Sequence, residues 1–361
     1  MPSLIESQPH EEEDDFNGTS RFSFSPENLQ TNALAVLDLP QLYTRPSFAA
    51  LTITLTTLTC AAPSWDTAPS APASRKESPK EATATAGYLT SIVASDLSWL
   101  SGDEAEQIRD LASKRLSERT GRSGMSSITR SFRVEEKLEL SLHEPALTGD
   151  NLGLKTWGTA FLVAKALPSI ASQHLSHLLP AASSRNDLEV LELGSGTGLL
   201  GLSAASLLPA TVTLTDLPEI LPNLQKNVDS NAWIAESRGG AAYAEALDWT
   251  HYTAHAAASA PDTYPLVMAA DPLYSPSHPG WLVPAVDSHL STAPGARVLL
   301  AWPLRDRSTR GWGEDVKRLV AERGYVLVGK GTLEGVDDWE VRGEKVRVVS
   351  WWGVWRRGAL E

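Results

Sequence analysis

Residues Val190–Gly201 read V-L-E-L-G-S-G-T-G-L-L-G. An aliphatic run of buried-strand character enters a glycine-rich turn, and a helix-forming sequence begins inside that turn. Gly194 and Gly196 let the backbone bend tightly and leave no Cβ in the way of a ligand. The helix that follows presents unpaired N–H groups and a partial positive charge to whatever occupies the turn. Such a strand–turn–helix is the architecture of a nucleotide-like cofactor site. A turn that only lets a helix pack on a strand is the plainer reading, but Asp216, at the end of the next expected strand, weighs against it.

Two cofactors compete for the turn. Gly196, Gly198 and Gly201 satisfy G-x-G-x-x-G, the dinucleotide fingerprint, with Asp216 at the distance of a ribose-binding acid. The fuller string is E-x-G-x-G-x-G, with Glu192 two residues before the first glycine. An acid there helps to hold a cation such as a methionine ammonium and repels a pyrophosphate. S-adenosylmethionine is therefore favoured, and a dinucleotide oxidoreductase remains the alternative.

At 361 residues the chain has room for two domains, or for one domain with a long extension. Its 42% hydrophobic content and twelve tryptophans suffice for a sizeable core. The single cysteine, Cys60, excludes an internal disulfide and fits a reducing compartment. Net charge is −13: residues 1–150 carry 13 basic and 22 acidic side chains, residues 151–361 carry 18 and 22. Neither part has the basic excess of a nucleic-acid binder, so direct nucleic-acid contact is not expected. The polar start, with its acidic run Glu11–Asp15, is unlike a secretory signal or transit peptide. No apolar stretch reaches the length that spans a bilayer. The expectation is a soluble, cytoplasmic monomer with no membrane association and no metal.

Residues 1–30 read as a disordered acidic tail. Residues 31–129 read as a largely helical extension, interrupted at 63–85 by a low-complexity linker rich in Pro, Ala, Ser and Thr. Phe48–Ala62 fits either a strand or a helix, and the face formed by Phe48, Leu51, Leu55, Leu58 and Ala62 favours helix. Leu89, Ile92, Val93 and Leu97 repeat at helical spacing, and Ser101 is placed to cap a helix running to about Glu118. Two short strands are predicted at Ser131–Val134 and Leu138–Leu142.

Residues 130–361 form the expected catalytic domain, an α/β, Rossmann-like, seven-stranded sheet. Strands are predicted at Leu188–Leu193, Thr211–Thr215, Ala242–Leu247, Leu266–Ala270, Arg297–Trp302, Tyr325–Gly329 and Val346–Val354. Helices are predicted at Trp157–Leu167, Gly198–Leu208, from near Pro218 to Asn231, near Trp281–Leu290, and at Glu314–Arg323. The last two strands have no helix between them, so the mostly parallel sheet ends in an antiparallel pair.

Four segments converge at the C-terminal edge of this sheet, where open α/β sheets bind ligands. Besides the glycine turn, Asp216 in T-D-L-P can accept both hydroxyls of a ribose, or can serve as an acid at a helix N-terminus. Trp249 in L-D-W can flank an adenine with Asp248 near its amine, or can be core. In Ala269–Tyr274, A-A-D-P-L-Y, Asp271 and Tyr274 supply a carboxylate and a phenol able to align an amine with a sulfonium methyl group. A proline turn closing a buried strand is the plainer reading there.

Taken together, G-L-K-T-W-G at Gly153–Gly158, the glycine turn, T-D-L-P, L-D-W and D-P-L-Y resemble the family 16 lysine methyltransferases of the class I, seven-strand, S-adenosylmethionine-dependent fold. Within that family, L-D-L-P-Q-L near the N-terminus and the H-P-x-W-L that follows Asp271–Tyr274 are most similar to the fungal elongation factor methyltransferase 2 group. The resemblance covers about residues 130–357. It implies that Trp157 covers part of the cofactor, that Gly194, Ser195 and Gly196 line its methionine and ribose, and that Asp216 binds the ribose hydroxyls. It further implies that Trp249 lies against the adenine, that Ala270 offers backbone beside the cofactor, and that Asp271 and Tyr274 form a D-x-x-Y motif at the target lysine. The implied reaction is methylation of a lysine ε-amine on a protein, in particular a translation elongation factor. Amino-methylation of a nucleic acid, suggested by the likeness of D-P-L-Y to D-P-P-Y, and a non-catalytic binding module are the alternatives.

Overall fold

The computed structural model describes residues 38–59, 79–119, 127–146, 152–179, 188–252, 263–341 and 344–358. The acidic tail 1–30, Cys60, Ala62 and most of the 63–85 linker lie outside the described residues. All elements below belong to one compact unit, Pro40–Glu361.

Three helices come first: α1 (Phe48–Thr57), α2 (Pro79–Ala94) and α3 (Gly102–Ser117). Ser47 caps α1, and its face Leu51, Thr54 and Leu55 is buried. The helical alternative for this segment is the one adopted. Helix α2 starts inside the stretch read as linker. Alanine-rich sequence is compatible with helix as well as with a linker, Pro79 suits a first turn, and Thr85, Leu89 and Ile92 form its buried face. Leu97 lies beyond that helix, buried in a turn at φ +49°. Helix α3 opens on the expected Ser101 as a capping box with Glu104.

Strands β1 (Ile128–Glu135) and β2 (Leu138–Glu144) pair as an antiparallel hairpin separate from the main sheet. The chain then alternates through α4 (Gly158–Ile170), β3 (Glu189–Leu193), α5 (Leu199–Leu207), β4 (Thr211–Asp216), α6 (Leu221–Ser237), β5 (Ala241–Ala246), β6 (Leu266–Ala270), α7 (His278–His289), β7 (Arg297–Pro303), α8 (Arg307–Glu322), β8 (Tyr325–Val341) and β9 (Glu344–Arg357). The sheet order is β5-β4-β3-β6-β7-β9-β8. Strands β3 to β7 pair in parallel, and β9 pairs antiparallel with both β7 and β8. This is the Rossmann-like, seven-stranded architecture expected, with its antiparallel end. Its topological switch point falls between β3 and β6, where the order reverses.

Alternation along the strands builds two cores. Val190, Met268 and Leu299 face the layer of α4, α5 and α6, while Leu191, Val267 and Leu300 face α7 and α8. Four elements differ most in extent from the sequence reading. Helix α6 starts at Leu221, after a turn that holds Pro218, and runs to Ser237. Helix α8 begins seven residues early because Asp306 caps it, accepting from the Thr309 N–H at 2.8 Å. Strand β8 is far longer than predicted, because the glycines that interrupt its pattern make room for neighbours, and β9 extends at both ends to pair with it. A Cβ at Gly335 would stand 2.6 Å from Leu162.

The free edge of β2 is satisfied by side chains. Asn223, Asn227 and Asn231 recur every four residues along the buried face of α6. Asn231 accepts from Ser141 N (3.0 Å) and donates to Ser141 O (2.8 Å), while Asn227 accepts from His143 N (2.7 Å) and donates to His143 O (3.1 Å). Asn227 also donates to Thr197 O in the glycine turn, at 2.9 Å. Asn227→Ala deprives the half-buried His143 N–H of its acceptor and removes the direct side-chain link from the hairpin to the turn. Chemical denaturation is expected to show a loss of about 2–4 kcal/mol, with no comparable loss for the exposed Gln225→Ala.

Candidate functional site

The glycine turn is held open by the end of the neighbouring strand. The N–H groups of Gly194 and Ser195 both donate to Thr215 O at 2.9 Å, and the Thr215 hydroxyl donates to Glu192 O at 2.7 Å. Gly194, Gly196 and Gly198 adopt φ of +71°, +57° and +91°, conformations costly for any residue with a Cβ. At Gly194 a Cβ would also stand 2.8 Å from the Trp249 ring.

Asp216 closes this corner. Its Oδ2 accepts from Gly196 N at 2.7 Å and its Oδ1 from Leu217 N at 2.8 Å. Burial raises its pKa against the pull of those two amides. Because α6 starts only at Leu221, Asp216 does not serve as an acid in that helix's first turn. Each oxygen keeps a lone pair for a further donor.

Two adjoining hollows share Gly194, Asp216 and Tyr274. The larger, of about 210 Å³, has a mainly apolar and aromatic wall made by Leu217, Leu247, Trp249, His278 and Trp281. Asp248 stands at its rim and accepts from Thr250 N and Oγ1, both at 2.8 Å; these bonds lower its pKa. The smaller hollow is bounded by Trp157, Ser195, Gly196, Ala270 and Asp271. The structure thus gathers Trp157, Gly194, Ser195, Gly196, Asp216, Trp249, Ala270, Asp271 and Tyr274 around one cleft at the switch point.

Glu192 is not on the cleft wall. It is 2% exposed and lies beneath the turn, where a Cβ at Gly201 would meet its Oε2 at 2.5 Å. Oε2 and the Ser195 hydroxyl are both buried, and neither finds a hydrogen-bond partner among the described residues. Burial pushes the Glu192 pKa to about 8, against partial relief from the nearby Ser195 hydroxyl and Gly201 amide. A neutral acid repels a pyrophosphate weakly, so the charge argument made from this position loses force.

Trp157 precedes α4, and its indole N–H donates to Leu152 O at 3.0 Å. The guanidinium of Arg305 sits 5.6 Å from its ring centroid. The segment leading to Trp157 is anchored by charges that sequence reasoning missed. Glu144, 3% exposed, accepts from Arg130 at 3.3 Å and from Thr156 N at 3.2 Å, with Lys155 Nζ 3.9 Å away.

Asp271 adopts φ +57°, an uncommon conformation for a non-glycine residue, while its N–H continues the ladder to Ala301 O at 3.0 Å. Both of its oxygens are held by Thr159, at 3.0 Å from the N–H and 2.9 Å from the hydroxyl. Burial pushes its pKa to about 6, while the Thr159 bonds and the charge of Arg305 oppose the rise. Tyr274, at the junction of the two hollows, has its phenol pushed up to about 12 by desolvation and by the charges of Asp216 and Asp271. Its ring meets His278 edge-on at 4.4 Å, and His278 in turn lies 6.0 Å from Trp249 and 5.6 Å from Trp281. H-P-x-W-L was the only signal in the sequence for His278 and Trp281. Thr159 and Arg305 carry no sequence signal of their own.

Among the described residues no group of His, Cys, Asp and Glu is arranged to hold a metal ion, and no helix is long and apolar enough to cross a membrane. A family model described as lysine methyltransferase matches residues 134–318. Protein-lysine N-methyltransferase EFM2 of Saccharomyces cerevisiae is 35% identical over 270 residues, covering 70% of this chain and 62% of that protein. Protein-lysine N-methyltransferase rrg1 of Schizosaccharomyces pombe is 32% identical over 214 residues, covering 59% and 63%. EEF1A lysine methyltransferase 3 of Xenopus tropicalis is 38% identical over 86 residues, covering 24% and 34%. The chain spans less than two thirds of the length of each of these relatives.

The Glu192 carboxyl predicts a pH signature. Its folded pKa of about 8 lies above its ordinary 4.5, so unfolding releases a proton between these values and stability falls as pH rises through that window. Glu192→Gln should flatten this part of the profile. Urea denaturation without added ligand, at pH 5 to 8.5, is expected to show a variant whose advantage over the wild type grows with pH.

Proposed function

Because the chain belongs to the lysine methyltransferase family, we propose that it transfers a methyl group from S-adenosylmethionine to a lysine ε-amine of a protein. The observation that carries this reading is the shared cleft. Gly194, Asp216 and Tyr274 border both hollows, so a cofactor laid across the glycine turn through both would bring its reacting end to Asp271 and Tyr274, where an acceptor amine would meet it.

The residues fit S-adenosylmethionine. The left-handed turn leaves backbone free of Cβ atoms, and the unpartnered Ser195 hydroxyl borders the smaller hollow, suited to a polar amino-acid end. Asp216 retains lone pairs for ribose hydroxyls. The hollow walled by Leu247, Trp249 and Trp281, with Asp248 at its rim, suits a flat aromatic base bearing an amine. Trp157 covers the other side. Glu192 supports the turn from beneath, and Ala270 contributes backbone. When bound, the cofactor supplies an electrophilic methyl group that leaves sulfur as a new carbon–nitrogen bond forms.

The chain's own residues prepare the acceptor. A lysine amine must lose its proton before it attacks, and its ordinary pKa near 10.4 has to fall in the site. Desolvation against Trp157 and the positive charge of Arg305 both favour the neutral amine. Asp271 favours the charged form, so its role is to accept a hydrogen bond and aim the amine, with the proton passing on to solvent. Tyr274 stays protonated and orients the acceptor by accepting a hydrogen bond from the amine N–H or by packing against it. The relatives that act on lysine, one of them on EEF1A by its name, support a translation elongation factor as the acceptor protein. A monomer in the cytoplasm is the expected setting.

Incubation with labelled S-adenosylmethionine and matching cell extract should place label on lysine of one protein band, identified by mass spectrometry; label in nucleic acid instead would replace this reading. Asp271→Asn is expected to abolish turnover while cofactor binding survives. The wild-type kcat/KM should fall below about pH 6, where Asp271 takes up its proton. Asp216→Ala should weaken binding of S-adenosylmethionine, followed by calorimetry, by about 1–3 kcal/mol.

A further inference from the structure

Thr159 is the second residue of α4, and it engages both oxygens of Asp271, by its N–H at 3.0 Å and by its hydroxyl at 2.9 Å. It is 1% exposed, and its Oγ1 lies 2.9 Å from Oγ of Ser350, which is 0% exposed. A hydroxyl has one proton to give. Thr159 gives its proton to Asp271, so Ser350 must donate to Thr159. The result is a directed chain from β9 through α4 to the end of β6. A carboxylate on a left-handed backbone with solvent nearby has other rotamers available; here the α4 N-terminus and one hydroxyl select a single one.

We propose that Thr159 is a positioning residue for methyl transfer. It locks the Asp271 carboxylate so that its remaining lone pairs serve the acceptor amine, and Ser350 locks Thr159. The inference rests on the reading of Asp271 as the acceptor-side group. A donor to each oxygen also keeps the carboxylate ionised despite its burial. The other charged or titratable groups around Asp271 are Arg305 after β7, Tyr274 after β6 with Asp216 beyond it, and Lys155 on the wall of the same hollow, which bonds to Pro145 O at 2.9 Å and pairs with Glu144. None of them contacts both carboxylate oxygens.

Thr159→Val in the full chain keeps the shape and the N–H and deletes only the hydroxyl. We expect kcat to fall by about 10–100-fold, as for a small misplacement of a reacting partner, with KM for S-adenosylmethionine changed less than about twofold. The acid limb of kcat/KM should move to higher pH, because a donor to the anion is lost. Thr159→Ser should restore both properties, and Ser350→Ala should shift them in the same direction by less. Carbon-13 NMR titration of the Asp271 carboxyl in wild type and Thr159→Val gives a readout that needs no activity. Unchanged kcat and an unmoved Asp271 titration in Thr159→Val would overturn the proposal, as would a serine variant as impaired as the valine one. Should Thr159→Val fail to fold, an Asp271 titration and acid limb left in place by Ser350→Ala would overturn it equally. A wild type that methylates no protein would defeat the proposed function, while the titration would still decide the hold of Thr159 on Asp271.

Discussion

The cleft depends on one corner, where the last two residues of β4 take hold of the glycine turn after β3. Thr215 O accepts two successive N–H groups from the turn, and Asp216 accepts a third from Gly196. A turn with three left-handed glycines has many conformations open to it in the unfolded chain and loses much entropy when fixed. Hydrogen bonds from a neighbouring parallel strand supply a scaffold that the turn cannot make from its own residues. The same bonds leave Asp216 facing both hollows, so the corner that stiffens the turn also aligns the two sides of the site.

The other half of the scaffold arrives from outside the sheet. Among the described residues the β1–β2 hairpin has no strand partner in the main sheet, and its edge is met by asparagine side chains from α6. Each carboxamide both donates and accepts, as a backbone peptide group does. Asn227 extends this pairing to Thr197, and Glu144 extends it to Thr156, whose hydroxyl lies 2.8 Å from that of Thr197. Hairpin, glycine turn and the Gly153–Trp157 wall are therefore joined by buried polar contacts. Such networks are costly when half satisfied, which ties the order of each part to the others.

Two buried carboxyls at the ends of β3 and β6 follow different courses. At Glu192 burial outweighs the nearby Ser195 hydroxyl and Gly201 amide and drives the pKa to about 8. Asp271 is also desolvated, but Thr159 and Arg305 limit the rise to about 6. Near neutral pH the first is largely protonated and the second largely ionised. The distinction arises from hydrogen-bond donors brought by α4 and from the charge of Arg305 in the connection after β7.

Much of this was legible in the chain itself. Short, nearly continuous apolar runs alternating with helical patterns define the seven strands and the α/β class, because the central strands must bury both faces under helices. Glycines at 194, 196 and 198, and acids at strand ends, mark the site, because only those residue types tolerate the turn or earn a place at the sheet edge. The extents of α2, α8 and β8–β9 were not legible, since local composition there is outweighed by a distant neighbour: a packed face, a cap, or room made for Leu162. Neither was the direction in which Glu192 points, nor the hold of Thr159 on Asp271. A sequence determines which residues stand at the edge of the sheet. Which of them face the cleft, and in which charge state, is decided by burial and by hydrogen bonds that only the folded chain assembles, such as those from Thr159, 112 positions from Asp271.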